Sequence, residues 1–200
     1  MREHSLNQGC KTIARPLSNE KREALLASAA RLVAVQGTDA STAKIAKDAG
    51  VAEGTLFTYF ATKDELLNAL FAQIETSLAE AMLAVPVSGG SREQIRLIWE
   101  RLIAWGLANP IWRKAIRRLK LSGRVTPENE RRCEAKFGNV REIAERSLAG
   151  HVDPRRAAFY IKTILFALAD TTMEAIEADP SGHAHFSEAG FDLFWKGAAA

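Results

Sequence analysis

Apolar residues recur at helical spacing along most of the chain, and runs of alternating Val, Ile and Thr that would signal strands are missing. Leu25, Ala29, Leu32 and Val33 share a face of a segment that Ser18 can cap and Gly37 can end, with Glu20 in its first turn. Two short helices are predicted next, at about Thr42–Ala49 and Glu53–Tyr59. Thr62-Lys63-Asp64-Glu65 and Ser91-Arg92-Glu93-Gln94 have capping-box spacing and open helices to about Ala84 and Ala108, with Pro86–Gly90 as the loop between them. Asn109-Pro110, Thr126-Pro127 and Asp153-Pro154 each set a capping side chain before a proline, whose missing N–H does no harm at a first helical position. The helices they open run to about Leu121, Leu148 and Ala178; Asp179–Gly182 turns the chain, and a last helix ends near Lys196. The expectation is an all-α protein of about nine helices.

The pair of short helices carries the most specific pattern. Ile45, Ala46 and Ala49 fall on one face of the first, Gly50 supplies a left-handed turn, and Val51 and Leu56 fill the wedge between the two. Ala46 is small enough for the helices to cross closely. The second helix is about 10 Å long and leaves Glu53, Gly54, Thr55, Thr58 and Tyr59 outward, a size and shape that fit end-on into a DNA major groove. Phe60 reads as core.

The run from Thr42 to Phe60, followed by Thr62-Lys63-Asp64-Glu65-Leu66-Leu67, closely resembles the TetR family of bacterial helix-turn-helix transcription regulators, and the resemblance reaches back to about Arg22. It implies DNA contacts at Thr42, Gly54, Thr55, Tyr59 and Lys63, and with Lys44, Glu53, Phe57 and Thr58 these make the expected DNA-contacting set. Thr42, Tyr59 and Lys63 would meet phosphates, and Gly54 and Thr55 would lie against the groove; hydroxyls, lysines and helix N-termini are the usual phosphate partners. Two positions depart from the family pattern. Ala52 stands where a capping Ser or Thr is common, and Phe57 where a tyrosine is common; Phe57 cannot bond a phosphate but can pack on a thymine methyl group. Glu53 either accepts from a cytosine amino group or merely favours the helix N-terminus.

Charge and composition add little to this picture. A net charge of +3 is mild, and 47% apolar with 26% charged residues is ordinary globular composition. The two cysteines, Cys10 and Cys133, are not expected to pair, because Cys10 sits in a polar tail. With no long apolar run and no secretory-type apolar segment in the first residues, a cytoplasmic protein without a membrane span is expected. The expected organisation is a flexible basic arm (1–17), a helix-turn-helix domain (18–66), and a helical effector-binding and dimerisation domain (67–200).

Reading both halves of an operator needs a dimer. Ile161, Leu165, Leu168 and Ile176, with Phe191, Phe194 and Trp195 of the final helix, are the expected interface, paired as the resemblance implies into a four-helix bundle. Trp99, Trp105, Trp112, Phe137, Phe159 and Phe166 are either plain core or the lining of an apolar effector site. Trp105 and Trp112 are seven apart and share a face; Gly106 either leaves room for a ligand or lets helices pack closely. Arg113, Lys114, Arg117, Arg118 and Lys120 form a basic cluster that is a solvated face, a partner for acids of the DNA-binding head, or an anion site. Asp179, His183 and His185 lack a metal-ligand pattern, and no cofactor motif or nucleophile–base pair points to an enzyme. The resemblance implies a repressor released from palindromic operator DNA by a small effector; an architectural or partner-controlled DNA-binding protein is the alternative.

Overall fold

Ser18 accepts a hydrogen bond from the Lys21 amide and starts α1 (Asn19–Gln36), which Gly37 ends at φ 79°. The computed structural model describes residues 18–84, 86 and 88–198; the expected basic arm, and Cys10 with it, lies outside them. α2 (Thr42–Asp48) and α3 (Glu53–Tyr59) follow, then α4 (Lys63–Leu83), α5 (Ser91–Ala108), α6 (Pro110–Leu121), α7 (Pro127–Ala135), α8 (Gly138–Leu148), α9 (Pro154–Phe159), α10 (Leu165–Ala178) and α11 (His183–Ala198). Among the described residues the chain is all-α, with no strand.

The capping residues explain most of these boundaries. At α4, Thr62 accepts from the Glu65 amide while the Glu65 carboxylate accepts from the Ala61 amide, a reciprocal cap. Thr126 and Asp153 cap α7 and α9 ahead of their prolines. Three expectations need correction here. The Asn109 side chain does not cap α6 but donates to the Trp105 carbonyl at 2.9 Å. Ser91 does not cap α5: Gly90 holds that position, and Gln94 reaches back to the Gly89 carbonyl instead. The single helix expected over 127–148 is broken at Lys136 and Phe137, just before Gly138. The helix expected from Pro154 to Ala178 is one rod, but it passes through a π-helical turn at Tyr160–Ile164.

α1, α2 and α3 wrap a small core of Leu25, Leu26, Ala29, Ile45, Ala46 and Leu56, all nearly inaccessible. The buried Ser28 hydroxyl donates to the Ile45 carbonyl at 2.8 Å, so the polar group is satisfied where α1 crosses α2. α6 lies along α1 and joins the head to the larger helical body. Asn68 pins this joint: its amide donates to the Arg124 carbonyl, its oxygen accepts from the Thr126 amide, and its own carbonyl accepts from Asn129, each at 2.9 Å.

The body's core is built where α5, α10 and α11 meet. A side chain at Gly106 would collide with Met173, so that glycine serves close helix packing rather than a ligand. Gly190 plays the same part on α11, against Thr172 and Trp99. Of the basic cluster, Lys114, Arg117, Arg118 and Lys120 are exposed and Arg113 alone is buried. Arg113 is 4% exposed and pairs with Asp170 and, at 2.8 Å, Glu177; Arg117 pairs with Asp170 and Glu174. These pairs tie α6 to α10 rather than to acids of the head. Burial opposes the charge on Arg113, yet its carboxylate partners outweigh that and raise its pKa.

Candidate functional site

The turn between α2 and α3 is built by backbone geometry. Gly50 takes φ 71°, the Gly50 amide donates to Lys47, and the Val51 amide donates to Ala46 at 2.9 Å, which is a Schellman termination. Ser41, a residue the sequence reading passed over, caps α2 through the Lys44 amide. α3 has no side-chain cap, as Ala52 predicts. Its N-terminus is held differently: the Thr42 hydroxyl donates to the Glu53 carboxylate at 2.7 Å. Arg31 bonds Asp48 on the far side of α2, and that hydrogen bond holds the Asp48 carboxyl below its ordinary pKa.

The expected DNA-contacting residues all reach the surface of the head to some extent. Lys44, Glu53, Gly54 and Thr58 are exposed, Phe57 is 44% exposed, and Thr42, Thr55, Tyr59 and Lys63 are half-buried. Gly54 has nothing within 4 Å of where a Cβ would stand. The protein's own packing therefore does not require glycine there, although helix propensity disfavours it by about 1 kcal/mol relative to alanine. Two hydroxyls are already engaged. Thr42 gives its proton to Glu53, and Thr58 gives its proton to the Gly54 carbonyl at 3.1 Å. The Tyr59 oxygen accepts from the Ser18 amide at 2.9 Å, which leaves its hydroxyl hydrogen free and brings it to the N-terminus of α1. Lys63 opens α4, where a cation meets the positive end of the helix dipole, and it pairs with no acid among the described residues.

A cavity of about 350 Å³ lies in the body, between α4, α5, α7, α8 and the rod from the π turn into α10. Both irregular helical segments face it: Phe137 comes from the break before α8, and Ile161 and Lys162 come from the π turn. Phe71, Val140 and Ala144 add to its apolar wall. Phe137 and Phe166 line it, but the other four expected aromatics do not. Trp99 is buried against α11, where its ring N–H donates to Ser187 and Phe191 lies 6.3 Å away. Trp105 is buried and donates to Ser77. Trp112 lies in a shallow groove beside α1 and α4, because the Asn109-Pro110 break destroys the shared face with Trp105. Phe159 is 55% exposed on the outside of α9. Missed by the sequence reading was Glu75, an acid one turn after Phe71 on the apolar face of α4; it is 5% exposed and lines the cavity, with Lys120 Nζ 2.8 Å away. Cys133 lines the cavity too, and burial, helped by the Glu75 charge, pushes its thiol pKa up.

Most of the expected dimer residues do not reach the surface of the chain. Ile161, Leu165, Ile176, Phe191 and Phe194 are buried within the single chain, and Leu165 and Ile161 face the cavity. Leu168 is half-buried, and Trp195 is half-buried under His151, whose ring lies 5.0 Å away. The surface that α10 and α11 leave open carries Ala167, Thr171, Ala189 and Leu193 instead, with Leu193 61% exposed. No helix among the described residues is long and apolar enough to cross a membrane, and no group of three or more metal-ligating side chains converges among them.

A tight helix pair with an exposed, glycine-bearing second helix, set on a helical body, defines the helix-turn-helix DNA-binding class. Residues 25–70 match the family of bacterial regulatory proteins named for TetR. The chain is 44% identical over 62 residues to the HTH-type transcriptional regulator BetI of Stenotrophomonas maltophilia, which is 30% of this chain and 32% of that protein. It is 30% identical over 116 residues to the nucleoid occlusion factor SlmA of Vibrio vulnificus, 57% of each chain. The chain thus spans about a third to somewhat over half of these curated relatives. A TetR family transcription regulator from Shewanella sp. PV-4 has the same fold, with a TM-score of 0.76 and 27% identity over 88% of this chain and 97% of that one. Residues 25–70 thus carry the DNA-binding segment of the tetR family of bacterial regulatory proteins, and the chain shares its fold with TetR family transcription regulators.

Proposed function

We propose that the chain is a dimeric, sequence-specific DNA-binding repressor that leaves a palindromic operator when a small, largely apolar effector enters the body cavity. The observation that carries this reading is α4. One continuous helix begins at Lys63, directly after the helix pair, and carries Phe71 and Glu75 on the cavity wall. Lys63 and Glu75 are about 18 Å apart along its axis. Matter in the cavity bears directly on the helix that carries a phosphate-binding lysine. Asn68, in the same helix, is bonded to the α6–α7 connection, so a shift of α7 also reaches α4. Release requires that the effector favour the DNA-incompetent arrangement over the competent one.

In this reading Gly54 lets the DNA backbone or a base edge approach α3, Thr55 and Phe57 face the groove, and Tyr59, Lys44 and Lys63 hold phosphates. The dimer forms across the open faces of α10 and α11, the protein works in the cytoplasm, and it has no catalytic role. Similarity to a nucleoid occlusion factor favours a second reading, a DNA-binding protein without a small effector. The cavity weighs against it, because a purely architectural body has no need of one.

Selection from random duplex DNA by the purified chain tests the proposal. Enrichment of a palindrome with two half-sites is expected. Salt-dependent binding with no enriched sequence would favour the architectural reading, and no binding would sink both.

A further inference from the structure

Among the charged side chains on the cavity wall, Glu75 is the deeply buried one. It is 5% exposed, whereas the Lys120, Lys162 and Glu134 side chains are each about half exposed, at 49%, 47% and 53%, Glu130 is exposed, and Arg141, the third cation on the wall, is half-buried. Glu134 and Lys162 also pair with each other at 2.8 Å. Glu75 is less well served. Lys120 Nζ lies 2.8 Å from Oε1, yet that oxygen has no hydrogen bond of acceptable angle among the described residues. The ammonium sits beside the carboxylate rather than in line with it, and it lies 5.5 Å from the centre of the Phe166 ring. A buried carboxylate with an unmatched oxygen is costly, and a donor that reaches it in line is favoured strongly in a low-dielectric wall. The surrounding Phe71, Phe137 and Phe166 rings suit both an apolar body and a cation.

We propose that the cavity selects an amphiphilic amine, with its alkyl or aromatic body in the apolar wall and its protonated nitrogen bonded to Glu75, and that Lys120 is the internal cation it replaces. This deepens the reading of the cavity as an effector site and rests on it. Lys120, half exposed on a flexible stem, swings toward solvent when displaced, so the exchange keeps the buried charge paired.

The test is calorimetric titration of the full chain, without DNA, by phenylbutylamine, phenylbutanol and phenylbutyrate, which share one body and differ in the head. The amine should bind about tenfold or more tighter than the alcohol, and the acid weakest. Glu75→Gln should erase the amine's advantage while leaving the alcohol within about twofold. Lys120→Met, checked for an unchanged helical spectrum, should tighten the amine and weaken the acid; a merely structural role would move all three ligands together. Equal affinities, tightest binding by the acid, no measurable binding of the amine, or an amine preference that survives Glu75→Gln would each overturn the proposal. Should the amine bind as expected but leave an operator complex intact, ligand-driven release fails while the headgroup assignment stands.

Discussion

The Thr42 hydroxyl donates to the Glu53 carboxylate at 2.7 Å, so the first residue of α2 holds the first residue of the uncapped α3. This bond bears on what an acid is doing on a surface proposed to face a polyanion. If Glu53 positions α3, its charge is a general repulsion and not a reader of cytosine. Glu53→Gln keeps an acceptor for Thr42 and removes the charge. Binding to every duplex should then tighten by about threefold to tenfold, equally across sequences. Competition against a panel of operators substituted at each position checks this; a loss confined to one C·G position would establish base reading instead.

Gly54 gives a prediction in which stability and function part. With open space around its Cβ direction and an ordinary backbone, alanine fits the free protein. Gly54→Ala should leave the melting temperature unchanged or raise it slightly, since alanine is favoured in a helix by up to about 1 kcal/mol. Operator affinity should fall at least about tenfold, because a methyl group would stand where DNA must approach. Unchanged operator binding would remove α3 from the groove.

Lys63 contacts phosphate in the proposed complex and pairs with no acid among the described residues. Lys63→Ala should weaken specific and non-specific binding alike, and reduce the slope of log affinity against log salt by about 0.9. Salt titrations on an operator and on a scrambled duplex measure both slopes. A loss limited to the operator would argue for a base contact.

Much of this head was legible in the sequence because local chemistry decides it. Gly50 has a turn to make, Thr62 and Glu65 cap reciprocally, and Pro110, Pro127 and Pro154 start helices wherever they stand. The body was less legible, because a helical repeat identifies a face but not its neighbour. α10 is apolar over much of its circumference, and Phe191 and Phe194 are three apart with Leu193 between them. Only the packing of α5 against α11 shows that the two phenylalanines turn inward and the leucine outward. Nor does any local signal announce the π turn. Glu75 did leave a mark, as an acid interrupting the apolar face that Phe71, Ile74 and Leu78 continue.

The inward turn of Phe191 and Phe194 leaves the open face of α11 as the proposed interface. Leu193→Asp places a charge at the centre of that face while touching nothing in the monomer's core, since the side chain is 61% exposed. Sedimentation should show a shift from dimer to monomer with an unchanged helical spectrum. Operator affinity should drop by about a hundredfold, because the two half-sites are no longer bound together. A dimer that survives the substitution would place the interface elsewhere.

The Arg113 ion pairs set how the body responds to acid. Burial alone would raise the Glu177 carboxyl, but hydrogen bonding to Arg113 outweighs it and holds the pKa below its ordinary 4.5. A carboxyl lowered in the folded state contributes stability that is fully present above the unfolded value and lost as pH falls through the folded one. Glu177→Gln should therefore cost about 1–2 kcal/mol at neutral pH, where a charge-assisted bond to a buried guanidinium is lost. As the pH drops below 4.5, the difference between the parent and the variant should shrink toward zero. Urea unfolding of both proteins across that range gives the comparison. A gap that stays constant with pH would mean that Glu177 acts through packing rather than through its charge on Arg113.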